Sequence, residues 1–151
     1  AYCCRKCKCK RYWIIVKIIT FIAMIQQVTQ GIRISVVSFF ESTYFKNYRL
    51  HFSFAYRISI SNQGKDIVQL QARHWKIFDA LKATSIVDGE GVVGKKPVIK
   101  PGQVYTYQSG CLLSSPLGAM QGHYNMINLA TTKKFRVYIP KFELSPPFAL
   151  N

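Results

Sequence analysis

The chain has 151 residues, 49% hydrophobic and 14% aromatic, enough apolar matter for one domain's core and too much for a disordered polypeptide. Its net charge of +15 comes from 21 basic and 6 acidic residues; six of the bases (Arg5, Lys6, Lys8, Lys10, Arg11, Lys17) and no acid fall in the first 23, leaving +9 on the rest. That balance favours anionic partners through a long-range field. The bases are scattered at alternating positions outside any motif frame that reads nucleic acid, so no specific nucleic-acid recognition is expected.

Cys3, Cys4, Cys7 and Cys9 crowd into CCRKCKC, and only Cys111 lies in the body. Neighbouring cysteines this close cannot staple a fold, and an odd total speaks against a secreted disulfide framework. Cys4-Arg5-Lys6-Cys7 has no second pair downstream to complete a zinc knuckle. A reduced, cytoplasmic chain is expected. Trp13 to Ile25 follows as a mostly apolar run, the outline of a signal peptide. Yet Lys17 interrupts it, no A-x-A cleavage site follows, and it falls short of the about 20 residues that span a bilayer. Residues 1–23 are therefore expected to lie outside the fold, with Met24 as the native start and 24–151 as the domain. A basic membrane-touching anchor is the alternative, and the only membrane contact foreseen.

From Gly31 onward the period is two. Ile32, Ile34 and Val36 alternate with Arg33 and Ser35, and Phe52, Phe54, Tyr56, Ile58 and Ile60 alternate with Ser53, Ala55, Arg57 and Ser59. Such alternation predicts strands with one buried face. Asn62-Gln63-Gly64-Lys65 is a turn, with Gly64 expected at positive φ. Ile67 to Phe78 reads as a strand whose irregular alternation places a bulge near Arg73. Lys100-Pro101-Gly102-Gln103 marks another turn before the strand Val104–Tyr107. Tyr124–Ile127 and Phe135–Ile139 are two more strands, joined through Thr131-Thr132-Lys133-Lys134. Six or seven short strands and no convincing helical period predict an all-β fold, an antiparallel β-sandwich of about seven strands, with an up-and-down barrel as the alternative.

Gly89-Glu90-Gly91-Val92-Val93-Gly94-Lys95-Lys96-Pro97 nearly satisfies several nucleotide-binding patterns. The dinucleotide fingerprint needs a strand turning into a helix and an acid about 20 residues on. Here Pro97 and Pro101 block the helix, and the next acid after Glu90 is Glu143. A P-loop fails likewise, because Lys96 stands where a Mg²⁺-binding Ser or Thr belongs. A kinase glycine loop lacks its valine and its H-R-D and D-F-G partners. Two readings stay open. The glycines serve positive-φ positions in a long connection between two sheets, or consecutive backbone N–H groups there hold an anion, with Lys95 and Lys96 adding charge.

Taken together, Val28-Thr29-Gln30-Gly31-Ile32, Arg73-His74-Trp75, Gly89 to Gly94, Lys100-Pro101-Gly102, Tyr107-Gln108-Ser109-Gly110-Cys111, Met120-Gln121-Gly122 and Ile139-Pro140 resemble the ApaG family, over about Val28 to Leu150. The resemblance implies a fibronectin-III-like or immunoglobulin-like sandwich in a small cytoplasmic bacterial protein. It also implies a genetic association with cobalt resistance and magnesium efflux (the CorD name). A similar domain in a eukaryotic F-box protein looks like a substrate- or partner-binding module. Lys95-Lys96 replaces a more acidic or polar pair, which makes an anion at this loop more plausible here than in the family at large.

Three histidines (His51, His74, His123) and Cys111 share no spacing that converges on a metal, and six scattered acids offer no Mg²⁺ cluster. Cys111 beside His74 or His123 reads as packing more readily than as a nucleophile. No enzyme, cofactor or protein-ligated metal is expected. Alternation puts Arg73 and Trp75 on one face and His74 on the other. That pairing describes either a core tryptophan with an arginine along the sheet edge, or a bidentate arginine beside an aromatic platform. The expectation is a non-enzymatic module that contacts a protein partner or a phosphate-type anion through loops at one end. Arg73, Gly89, Gly91, Gly94, Lys95 and Lys96 would hold the anion. His74, Trp75, Met120 and Gln121, the last two on a Gly118–Gly122 loop, would form the partner surface. The alternative is a metal-homeostasis factor that meets a transporter or carries a divalent cation.

Overall fold

The structure, a computed structural model, describes residues 23–150. Cys3, Cys4, Cys7, Cys9 and the apolar run up to Ile22 lie outside the described residues. The described residues form nine strands: β1 (Ile25–Thr29), β2 (Ile32–Lys46), β3 (Arg49–Asn62), β4 (Val68–Asp79), β5 (Lys82–Glu90), β6 (Val98–Ile99), β7 (Val104–Leu113), β8 (Gly118–Asn128) and β9 (Lys134–Leu144), followed by a 3-10 turn at Pro147–Leu150. All pairings are antiparallel. One sheet has the order β1-β2-β3-β7 and the other β5-β4-β8-β9, with β6 also on β4. The two pack face to face as a sandwich.

The count exceeds the expected seven for a physical reason. Every residue of β5 except Gly89 is exposed, and β6 is two residues long, so neither shows the in–out alternation that betrays a half-buried strand. Where one face is buried, alternation and structure agree. Ile32, Ile34, Val36, Phe54, Tyr56, Ile58 and Ile60 enter the core from the first sheet, and Val68, Leu70, Trp75, Tyr124, Met126, Val137 and Ile139 from the second. The bulge in β4 falls at Gln71, between Leu70 and Ala72, and it inverts the facing of everything beyond it. Trp75 consequently points inward, its ring 5.5 Å from that of Tyr56 and 6.1 Å from that of Phe142.

Three expectations are corrected here. Trp75 and Met120, placed on a partner surface from sequence, are each only 2% exposed and belong to the core. Gly118–Gly122 is no loop but the first half of β8, paired with β4 and β9. Its glycines admit neighbouring backbone: a Cβ on Gly122 would collide with the His74 carbonyl oxygen, and one on Gly118 with that of Phe78. At the Asn62–Lys65 turn, Gly64 is not at positive φ. The buried Asn62 side chain organises it by accepting from the Gly64 N–H and donating to the Asp66 and Ile99 carbonyls.

Candidate functional site

Strands β5 and β6 are two lengths of a single sheet edge. Residues 82–90 pair with 72–79 of β4, and Val98 and Ile99 pair with Gln69 and Val68. Between them the chain leaves the edge opposite the Gln71 bulge. The Gly91 N–H donates to the Gln71 carbonyl on one side, and the Leu70 N–H donates to the Pro97 carbonyl on the other. The glycine-rich stretch is therefore an excursion within one edge, not the connection between sheets that its punctuation suggested. Within it Val92 and Lys95 exchange both backbone hydrogen bonds, at 2.8 and 3.0 Å. The two residues between, Val93 (φ 48) and Gly94 (φ 72), complete a tight two-residue turn of the type that requires positive φ twice. Val92 is fully buried, and Val93 is 62% exposed at the tip.

Arg73 is the clamp of this excursion. Its Nη1 donates to the Glu90 carbonyl at 3.0 Å and to the Gly91 carbonyl at 2.8 Å. Gly89 is small because the guanidinium lies across it, 2.8 Å from where a Cβ would stand. Lys96 reaches back to Glu90 at 3.0 Å, and Lys95 projects into solvent. Of the expected anion ligands, Arg73, Gly91 and Lys96 thus meet at the base of the excursion. Gly94 and Lys95 sit at its tip, and the Val92 and Lys95 N–H groups are already used within the turn.

The outward face of the second sheet carries a different assembly. Register places Asp88 (β5), His74 (β4), His123 (β8) and Tyr138 (β9) side by side in one row across four strands. His74 Nδ1 lies 2.6 Å from Asp88 Oδ1. The His74 and His123 rings stack at 4.8 Å, and the Tyr138 ring meets His123 edge-on at 6.2 Å. Flanking rows supply Lys76 and Gln121 on one side, Asn125 and Arg136 on the other. A bulge where Pro140 and Lys141 of β9 face Gln121 turns Lys141 toward the same depression. These groups line an open bay of about 740 Å³. Burial, then the neighbouring His74 and Arg136 charges, hold the His123 pKa below its ordinary value. The bay brings His74 and Gln121 together from the expected partner surface. His123, Arg136 and Tyr138 were not singled out for it, because membership depends on the register of four strands.

The remaining chemistry-bearing groups stand apart. Cys111 is half-buried on β7, its thiol pushed up to about 11 by burial and then by Asp79. His51 stacks on Tyr44 at 5.4 Å, away from the other histidines. Among the described residues, His, Cys, Asp and Glu nowhere gather in threes with metal-holding geometry. No described helix is long and apolar enough to cross a membrane.

A two-sheet antiparallel sandwich with a polar bay on one outer face and a pinned glycine turn on its edge defines a small all-β domain. Its lineage is plain from comparison: the ApaG domain family matches residues 42–128, and the chain belongs to that family. It is 42% identical over 119 residues to Protein ApaG of Methylobacterium sp. (strain 4-46), covering 79% of this chain and 91% of the relative. It is 41% identical over 125 residues to Protein ApaG of Methylocella silvestris, covering 83% and 95%. The crystal structure of a putative ApaA protein from Bordetella pertussis superposes with a TM-score of 0.71 at 34% identity, covering 77% of this chain and 94% of that one.

Proposed function

We propose that this chain is a non-enzymatic binding module whose second-sheet bay receives an anionic group, a carboxylate or phosphate, carried by a protein partner. One observation supports this above the rest. The bay is lined by Lys76, Arg136 and Lys141 with two imidazoles, against a single carboxylate, Asp88. That carboxylate is already engaged by His74. Salt bridges among the described residues are confined to His74–Asp88 and Lys96–Glu90, so the three strong cations face the bay without an acidic partner. Preorganised cations on rigid strands bind oxyanions at small entropic cost. The excursion clamped by Arg73 borders this face through Glu90 and Lys96 and offers Val93 as an apolar contact. It takes the place of the end loops expected from sequence.

Calorimetric titration with pyrophosphate, an acidic peptide, Co²⁺ and Mg²⁺ tests the reading. Binding of either anion, weakened at least tenfold in Lys76→Gln/Arg136→Gln, supports it, and the stronger of the two identifies the source of the charge. Anion binding that survives both substitutions, or binding of metal alone, overturns it. The metal result would favour the metal-homeostasis role that the family resemblance implied.

A further inference from the structure

We propose that one pole of the sandwich, built from the β2–β3 ribbon and the β4–β5 turn, docks on the surface of an anionic lipid bilayer. Pairing with β1 stops at Val36 and pairing with β7 begins at Phe52. The hairpin beyond these limits therefore projects as a two-stranded ribbon without a described strand on either side. Every residue from Glu41 to Leu50 is exposed. The ribbon closes through Asn47 and Tyr48, both at positive φ. Alternation divides its faces. Phe45 and its partner Leu50 lie on one, Lys46 with Arg49 and Tyr44 with His51 on the other, and Tyr48 caps the tip.

The β4–β5 turn stands at the same end of the molecule. Asp79 pairs with Gly118 and accepts the Ser114 N–H, just past the Leu113 that pairs with Phe52. It adds Leu81 and Lys82. Tyr48 is 95% exposed, Leu81 73%, Phe45 70% and Leu50 47%. These exposed apolar side chains share the pole with Lys46, Arg49 and Lys82. Three acids lie near this pole: Glu41, exposed, accepts from Ser53; Asp79, half-buried, accepts the N–H groups of Leu81 and Ser114; and Glu143 is exposed beside Ala119.

Aromatic and aliphatic side chains at a tip, ringed by long basic side chains that reach headgroup phosphates, match the chemistry of an anionic interface. Strand β1 runs antiparallel to β2, away from the pole, so that Ile25 is its residue nearest the pole. The sequence preceding it holds six bases, no acid and the run from Trp13. A second copy fits less well, because two identical basic tips repel. Single-stranded nucleic acid takes a row of open aromatic platforms; here Tyr44 and His51 stack on each other, with 24° between their planes, and Phe45 lies on the opposite face of the ribbon.

Co-sedimentation of the full chain with vesicles of phosphatidylcholine, with and without 30% phosphatidylglycerol, decides the matter. The expected result is partition onto the anionic vesicles only, suppressed by salt. With each near-surface base contributing about 1 kcal/mol, Lys46→Gln/Arg49→Gln should weaken it roughly thirtyfold. Phe45→Ser/Tyr48→Ser should weaken it at least tenfold. All four side chains are exposed, so unchanged thermal melts certify the fold of both variants. Equal binding to neutral vesicles, no binding at all, or binding that persists in both variants with residues 1–23 intact overturns the proposal. So does displacement of the protein from vesicles by a single-stranded oligonucleotide at equimolar phosphate.

Discussion

The Val92–Lys95 turn yields a graded set of backbone predictions in which one substitution should strengthen the protein. An L-residue held in the left-handed region costs roughly 1–2 kcal/mol, more comfortably borne by Asn than by a β-branched side chain. Val93 sits there at φ 48 with its side chain 62% exposed, so little packing offsets the strain. Val93→Asn should therefore stabilise the fold by about 1 kcal/mol, raising Tm by roughly 3–5 °C for a domain of this size. Its neighbours calibrate the reasoning. A Cβ on Gly94 meets nothing within 4 Å, so Gly94→Ala isolates the conformational penalty, a loss of about 1–2 kcal/mol. A Cβ on Gly91, at φ +59, would collide with the Lys95 carbonyl oxygen. Gly91→Ala must therefore break the turn itself, at roughly 3 kcal/mol or more. Urea melts at fixed pH measure all three. If Val93→Asn is neutral or destabilising, or if the two alanine variants cost the same, the account of this turn as strained and pinned is wrong.

Two further outcomes follow from the site. Removing the Arg73 guanidinium with Arg73→Met should cost about 2–4 kcal/mol, since two carbonyls lose a charged donor; Gly89→Ala should then be far less damaging in the Arg73→Met background than in the parent, a coupling measurable by a double-mutant cycle. Because the native His123 pKa is depressed, the unfolded chain binds that proton more readily. Stability is therefore fully present above the unfolded value of about 6.5 and is lost as pH falls from there through the native value. His123→Gln should flatten that part of the pH profile in denaturant melts.

What the sequence discloses depends on whether a residue's role is local. The alternation from Phe52 to Ile60 announces a half-buried strand because each second side chain meets the same core. The disturbance between Leu70 and Trp75 betrays a bulge because one extra residue inverts that parity. Failures occur where the cause is distant. β5 leaves no trace of a strand because its hydrogen bonds lie on the edge while almost all its side chains face water. Gly118 and Gly122 imitate a loop, although they are small to let the Phe78 and His74 carbonyls approach from the adjoining strand. The row Asp88–His74–His123–Tyr138 draws on four strands separated by up to 64 positions in the chain (74 to 138), and no spacing rule brings them together. Arg73 was recognisable as a residue of interest, but its clamp on the Glu90 and Gly91 carbonyls depends on the bulge two residues before it.

The split of one sheet edge into β5 and β6 bears on how this protein behaves in a crowd. An uninterrupted edge is a template on which a foreign strand can extend the sheet, the first step of many aggregation routes. Here the Gly91–Pro97 excursion juts out between lengths of nine and two residues, with Pro97 lacking an N–H at its close. A strand approaching from another molecule meets this knot before it can align with both halves. The stretch that most resembles a nucleotide motif thereby interrupts the edge of the second sheet between β5 and β6.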